Sequence, residues 1–383
     1  MAVFAFSKLN SSLALAIKSF AEYFSLPLEI ADLKQPRPIG KVLIRVVEAG
    51  ATDAQTMRYI EKLRDGRERL VLLFSPKPEP GPIASILADM PNLFFIPATA
   101  SAEELIEGLL KICGVIEANL RFYIDAESAE EAFLAHRYMD ALNAAKRMLG
   151  TEYLPYIPHM IIGRSLFTSD RVHPALQHAQ KALRARPKSI AAASLVAAAH
   201  QKLGQSRVAE KYLLKFLPAA ETSMLYMIQL GDVYFENGKI PDAKAIYQKS
   251  QRLDPSEKGA IKGLLAVSIL DGDLEAANQM TTSALAHIDI GRFCNLRAIA
   301  LTANQQFKNA EKLYLNTIKL LGKDRSLYKL YFNLGLCMKK AGDFPKSAQY
   351  FEKCERIAPK SFARVTQQLK KIRRNFSAGK IGA

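Results

Sequence analysis

The spacing of apolar positions changes rhythm once along the chain. Up to about residue 112, short apolar runs alternate with helical patterns. VFAF (3–6), PLEIADL (27–33), KVLIRVV (41–47), RLVLLFS (69–75) and NLFFIP (92–97) read as strands. SLALAIKSFAEYF (12–24), DAQTMRYIEKLR (53–64), PIASILADM (82–90) and SAEELIEGLLKI (101–112) carry the 3.6-residue period of helices. Strands that alternate with helices predict a doubly wound parallel sheet, and the length and order suit the flavodoxin-like arrangement. Beyond residue 112 the helical period takes over. SAEEAFLAHRYMDALNAAKRML (128–149) predicts one helix that opens with a capping box of Ser128 and Glu131.

The helical part repeats itself. In LGDVYFENGKIPDAKAIYQKSQRLDP (230–255), Leu230-Gly231 opens one helix, Asn237-Gly238 interrupts it, Ala243 sits in a second, and Pro255 closes the unit. The small residue recurs at Ala175, Ala209, Ala277, Ala310 and Ser347, a period near 34. A glycine or alanine on each helix of a hairpin lets the backbones cross closely, while Tyr, Phe and Leu fill the space beside the crossing. These positions, with Leu334-Gly335, Gly342-Asp343-Phe344, Phe351 and Pro359 in the last unit, resemble the tetratricopeptide repeat family. The resemblance implies an all-α superhelix over 156–361 in about six units: 156–189, 190–223, 224–257, 258–290, 291–327 and 328–361. A single hairpin cannot bury its apolar face, so such units stack. Residues 113–155 then read as connecting helices. Residues 362–383 read as a basic capping helix and tail, with Phe362, Val365, Leu369 and Ile372 turned inward.

Residues 1–112 resemble the receiver domain of bacterial response regulators, most closely in FFIPATASAEELIEGLLK, where Pro97 matches the family's proline, and at Ser75, which ends the fourth strand. The departures fall on the chemistry. Ser7-Lys8 stand where the family has paired metal-binding acids, Arg45 where it has the phosphate-accepting aspartate, and Ile96 where it has lysine. Phosphoryl transfer needs a carboxylate nucleophile and oxygen ligands for a hard cation. The resemblance therefore implies a pseudo-receiver, able to bind but not to be phosphorylated in the usual way. A slipped register would offer Glu48 or Asp53 as acceptor without restoring the metal site.

If the repeats form a superhelix, the resemblance implies a concave groove lined by first helices. Its candidate residues are Met160, Arg164, Phe167, Leu225, Ile228, Asp232, Phe235, Lys262, Ile269, Asn295, Ile299, Phe332, Leu336 and Lys339, with Ile157 and Ala266 beside them. This mostly apolar set does not match the Lys and Asn clamp some members use for a terminal carboxylate. It suits an amphipathic helix or an extended apolar segment of a protein partner. Part of the stripe must also serve as core, and the 128–149 helix or the pseudo-receiver could fill the groove from within.

Charge adds a second possibility. The net charge is +16, and residues 126–383 hold all of the excess, with 39 Lys/Arg against 22 Asp/Glu. Such an excess attracts nucleic acid or another acidic partner. No phosphate-binding glycine motif, nucleophile elbow or zinc-protease motif occurs. Cys113, Cys294, Cys337 and Cys354 lie far apart, which suits buried thiols in a reducing cytoplasm and no metal site. No apolar run is long enough to span a membrane. The expected function is a non-enzymatic protein–protein adaptor without cofactor, in a cytoplasmic bacterial signalling setting that the two resemblances imply, for instance motility or polarity. Nucleic-acid binding through the basic repeats is the alternative. A receiver phosphorylated at an unconventional carboxylate is a third reading.

Overall fold

The computed structural model describes five strands before residue 98, three pairs of helical residues between 103 and 111, and residues 118–377 apart from 221–222, 284, 286–287, 323, 325–326 and 360. The strands are β1 (Phe4–Phe6), β2 (Leu28–Ile30), β3 (Ile44–Glu48), β4 (Val71–Ser75) and β5 (Leu93–Pro97). All neighbours pair in parallel, in the order β2-β1-β3-β4-β5. Parallel neighbours need crossover connections. The helices expected over 12–24, 53–64 and 82–90 lie outside the described residues. Helical backbone is present at Glu103–Glu104, Glu107–Gly108 and Leu110–Lys111.

From residue 120 to 377 the described residues form helices and the turns that join them. The helices are α1 (Leu120–Leu134), α2 (Tyr138–Met148), α3 (Tyr156–Thr168), α4 (Val172–Ala185), α5 (Ile190–Lys202), α6 (Ser206–Phe216), α7 (Met224–Glu236) and α8 (Ile240–Leu253). They continue as α9 (Lys258–Asp271), α10 (Leu274–Ser283), α11 (Ile290–Ala303), α12 (Phe307–Leu321), α13 (Leu327–Lys340), α14 (Phe344–Ile357) and α15 (Arg364–Ser377). Pro158 falls in the first turn of α3, where a backbone donor is not needed.

Seven successive corners share one construction among the described residues. A left-handed residue stands at His136, Asp170, Gly204, Gly238, Gly272, Gln305 and Gly342. At each, the amide of the following residue reaches back five positions to a carbonyl of the first helix, as in Arg137 to Ala132 (2.8 Å), Lys239 to Tyr234 (2.9 Å) and Asp343 to Met338 (3.0 Å). This is the helix stop that satisfies orphan carbonyls through a left-handed residue. Five residues after each corner comes a fully buried small residue: Ala141, Ala175, Ala209, Ala243, Ala277, Ala310 and Ser347.

The first corner corrects the expectation of a single helix over 128–149. His136 breaks it into α1 and α2, and Ser128 lies inside α1 instead of capping it. The segment between the sheet and the repeats is itself a hairpin built to the repeat pattern. Glycine is absent from its corner, so its period is hard to see.

The chain divides into two compact bodies, residues 1–199 with 212–223, and residues 200–211 with 224–383. In the first, Phe122, Leu142, Met148, Tyr156, Ile161 and Leu166 form a shared core. Asp125 is buried beside it and answered by Arg147 (2.7 Å) and Arg121 (3.2 Å). A buried charge persists only when paired in this way.

In the second body one core runs from Phe235 and Tyr247 through Leu265 and Ile269 to Leu301, Tyr314 and Leu334. Tyr247 of α8 lies between Gly231 of α7 and Gly263 of α9, and Phe351 of α14 lies on Gly335 of α13. Each ring occupies space that a side chain on the facing helix would fill. α15 buries Val365, Leu369 and Ile372 against Phe351 and Cys354.

Candidate functional site

The first helix of each hairpin carries the groove candidates, and most of them are already engaged by the chain itself. In the first body, the Arg164 guanidinium makes a forked pair with the Glu130 carboxylate (3.2 and 3.3 Å) and lies 4.3 Å over the ring of Phe133. Both partners belong to α1, so the preceding hairpin covers this position, as the expectation of filling from within allowed. Met160 and Phe167 are half-buried against the same core. His159 and His178 approach to 3.2 Å between their Nδ1 atoms. Burial first, and then the neighbouring His159 and lysines, pull His178 down to about 4.

In the second body, Phe235 and Ile269 are fully buried, and so is Ala266. They are core residues, not groove residues. α11 packs against α7 and α12 against α9, over these positions. Asn316 of α12 donates to the terminal carbonyls of α9, Ile269 (2.8 Å) and Leu270 (3.3 Å).

Asp232 lies in the same seam. It accepts from the Tyr247 hydroxyl (2.5 Å) and pairs with Arg297 of α11 (2.7 Å). Arg297 stacks over Phe293 and Phe235 with centroids at 5.5 and 5.7 Å. Burial works against its charge, but Asp232 and Glu236 together hold it above its ordinary value. Glu236, one turn on, accepts from the Ser206 hydroxyl and from Gln201 (3.3 Å). Burial pushes its carboxyl up, and those donors and Arg297 pull it back.

The candidates at the end of the second body are covered too. Phe332 packs edge-on to Phe362 (5.1 Å) and against Phe351, Leu336 joins that cluster, and Lys339 donates to Gln368 of α15 (2.9 Å). Asn295 accepts from Asn333 (2.7 Å). Ile228 is half-buried, its methyls against Gly259.

Three candidates face outward. Leu225 of α7 is 55% exposed, Ile299 of α11 is 44% exposed, and Lys262 of α9 is exposed as well. Leu296, one turn from Ile299, is 59% exposed and was not foreseen. Arg297 was missed as well, although a signal existed. Ile162, Val196, Leu230, Leu264 and Leu334 hold the equivalent place in other hairpins, so an arginine there demands a buried acid.

The sheet register places the residues that the receiver resemblance singled out. Arg45 is the second residue of β3, paired with Ala5 and Val71, whereas Glu48 closes the strand opposite Phe74. Arg45 thus lies within β3, and Glu48, the alternative acceptor that a slipped register offered, is its last residue. Ser75 ends β4 opposite Pro97, and Ile96 pairs with Phe74. Ser7 and Lys8 lie outside the described residues.

Among the described residues, no three His, Cys, Asp or Glu side chains gather as metal ligands. Cys294, Cys337 and Cys354 are buried free thiols, and burial raises each, Cys294 and Cys354 to about 11. That disfavours the reactive thiolate. No described helix is long and apolar enough to cross a membrane.

The hairpin geometry meets the family comparison at two places. The sequence profile described as tetratricopeptide repeat matches residues 226–257 and 328–361. These segments are tetratricopeptide repeats. The described region from about 124 to 372 is all-helical and built in their manner. Solved structures similar to this chain include a tetratricopeptide repeat protein from Parabacteroides merdae ATCC 43184, 15% identical, covering 66% of this chain and 99% of that one at a TM-score of 0.42. MamA from Desulfovibrio magneticus RS-1 is 20% identical over 43% of this chain and 94% of its own, at 0.39. YrrB, described as a repeat protein with an unusual peptide-binding site, is 18% identical over 45% and 90%, at 0.36. No curated protein matches the chain. The repeat fold is typically a non-catalytic protein-interaction scaffold.

Proposed function

We propose that this protein is a non-enzymatic adaptor whose repeats bind a protein partner through the outward face of α7, α9 and α11. The exposure of Leu225, Leu296 and Ile299 on first helices, with Lys262 between them in sequence, carries this reading. Three of these four, Leu225, Lys262 and Ile299, are the groove candidates that the chain leaves uncovered. An amphipathic helix or short apolar segment with an acidic residue for Lys262 fits that chemistry.

The N-terminal domain is proposed as a flavodoxin-like pseudo-receiver that supplies a second binding face. The strand order β2-β1-β3-β4-β5 supports that arrangement. Ser7-Lys8 and Ile96, in place of the metal-binding acids and the lysine, support a domain that binds without phosphoryl chemistry. Joining two binding faces in one chain raises the effective concentration of one partner near the other. The setting proposed, by fold analogy alone, is bacterial cytoplasmic signalling such as motility or polarity control.

The test is affinity capture from native extract with the full chain and with a Leu225→Asp/Ile299→Asp variant, at low and moderate salt. Proteins held by the parent at both salts and lost by the variant support the adaptor reading. Identical capture by both chains removes α7 and α11 as the binding face.

A further inference from the structure

The basic excess is more local than the whole repeat region. Residues 290–383 carry 20 Lys/Arg against 5 Asp/Glu, a net of +15, so the preceding 289 residues are nearly neutral. On the helices of this segment the cations form stripes. Lys308, Lys312 and Lys319 recur at helical spacing on the exposed side of α12. Lys346, Lys353 and Arg356 do the same on α14. Arg364, Lys370 and Lys371 line the exposed side of α15, opposite its buried Val365, Leu369 and Ile372.

Named contacts place these helices side by side. Glu311 of α12 receives Lys346 (3.3 Å) and the Tyr350 hydroxyl (2.9 Å) of α14, and Glu355 of α14 accepts from Thr366 of α15 (2.9 Å). Asp343 is spent capping α14 through the Lys346 amide (3.0 Å). Three of the segment's five acids are thus bound up within the fold, while the stripe cations other than Lys346, which pairs with Glu311, face outward.

We infer that this three-helix face binds the phosphate backbone of double-stranded nucleic acid without reading its sequence. Three other polyanion partners fit it less well. A protein interface has a desolvated apolar centre, and the only large exposed apolar side chain described on these helices is Ile357. A helix that lies on a membrane turns an apolar stripe to the lipid, but the apolar stripe of α15 is inside the fold. Single strands are gripped by stacked aromatics, and the described aromatic side chains on these helices are buried or half-buried. Lysine stripes alone match a duplex. Lys308 to Lys319 spans about 16 Å of helix, over which a duplex presents roughly nine phosphate charges.

The experiment measures fluorescence anisotropy of a labelled DNA duplex of about 25 base pairs with the full chain, from about 50 to 200 mM salt. The parent is expected to bind, with affinity falling linearly in log salt. The Lys312→Gln/Lys319→Gln/Lys370→Gln/Lys371→Gln variant should lose about three to four units of that slope and on the order of a hundredfold in affinity at the lowest salt. Its circular dichroism and unfolding should stay unchanged, because all four side chains are exposed. A second variant, Lys244→Gln/Lys258→Gln, neutralises cations outside the face and should bind like the parent. Three results overturn the inference: no duplex binding at the lowest salt, equal slopes for parent and quadruple variant, or binding to vesicles with about one-third anionic lipid in preference to the duplex. None of them bears on the adaptor reading, which rests on α7, α9 and α11.

Discussion

Gly263→Ala tests whether the ring of Tyr247 sets the spacing between repeats. A Cβ at residue 263 would stand within 3 Å of three ring atoms, at 2.5 Å from Cδ1 and Cζ. Real Cβ atoms essentially never come so close, so the ring or a helix must shift. The ring has nowhere to go. A Cβ on Gly231 of α7 would meet the Cε1 of this ring at 2.5 Å, and the hydroxyl is tied to Asp232. Replacing glycine by alanine in a helix interior gains about 1 kcal/mol in propensity. Overpacking a filled core costs about 1–3 kcal/mol, and a ring pinned on two sides belongs at the upper end. The expected net is a loss of about 2 kcal/mol. Stacked hairpins can unfold in part. Urea unfolding should therefore be joined to hydrogen exchange, with faster exchange expected at amides of α7, α8 and α9. In a Tyr247→Leu background the ring is gone, and the same Gly263→Ala change should become neutral or stabilising by up to about 1 kcal/mol. A parent-background variant as stable as the parent would refute the claim that this ring fixes the helix spacing.

Other predictions follow from the corners, the seam and the histidine pair. Gln305→Gly should stabilise by about 1 kcal/mol, since a left-handed non-glycine residue costs about that much, and Gly342→Ala should cost a similar amount with no clash to blame, both read from urea midpoints. Arg297→Met strands Asp232 in the seam and should cost about 3 kcal/mol in urea unfolding, whereas Arg297→Met combined with Asp232→Leu should recover most of the loss. His178 is held near 4 in the folded chain against an ordinary 6.5, so the unfolded chain binds the extra proton. Its stabilising contribution is complete above pH 6.5 and is lost as pH falls toward 4. The urea midpoint should drop across that window, and less steeply in His178→Gln.

The repeats were legible wherever glycine or alanine carries the construction. Ala243, Gly231 and Gly238 gave the period, because a close crossing and a left-handed corner can be met by few residue types. The hairpin of α1 and α2 was not legible as a repeat for the same reason. Its corner is His136, its crossing residue is Ala129 in place of glycine, and no proline closes it. The strands were legible as apolar runs in their right order, but their ends were not, since an alignment to a family cannot fix register to a residue. Arg45 and Glu48, three residues apart on β3, could for that reason not be told apart as the matched position. Contacts between non-adjacent hairpins left almost no trace in the sequence. Only Arg297, a charge at a place held by Ile, Val or Leu in the other five units from 156 to 361, betrayed the seam.

The looser repeats are explained by what they touch. In the third unit, Gly231 receives its own hairpin's Tyr247. In the next, the close approach to that same ring is made at Gly263, two residues before the place where the pattern asks for glycine. Leu265 can therefore occupy the patterned place and fill the core. α11 must pack on α7 while α12 packs on α9, so the face that a regular array would leave open is used inside the chain. A helix that packs on two neighbours must suit both, and its residues depart from the pattern that one neighbour imposes. The same argument limits a partner to the positions that this closure spares. Phe235 and Ile269 cannot contribute without opening the core, and Asp232 cannot without stranding Arg297. Leu225, Lys262, Leu296 and Ile299 remain free to be read from outside. A protein partner held by α7, α9 and α11 should accordingly respond to changes at those four residues, with the fold left intact.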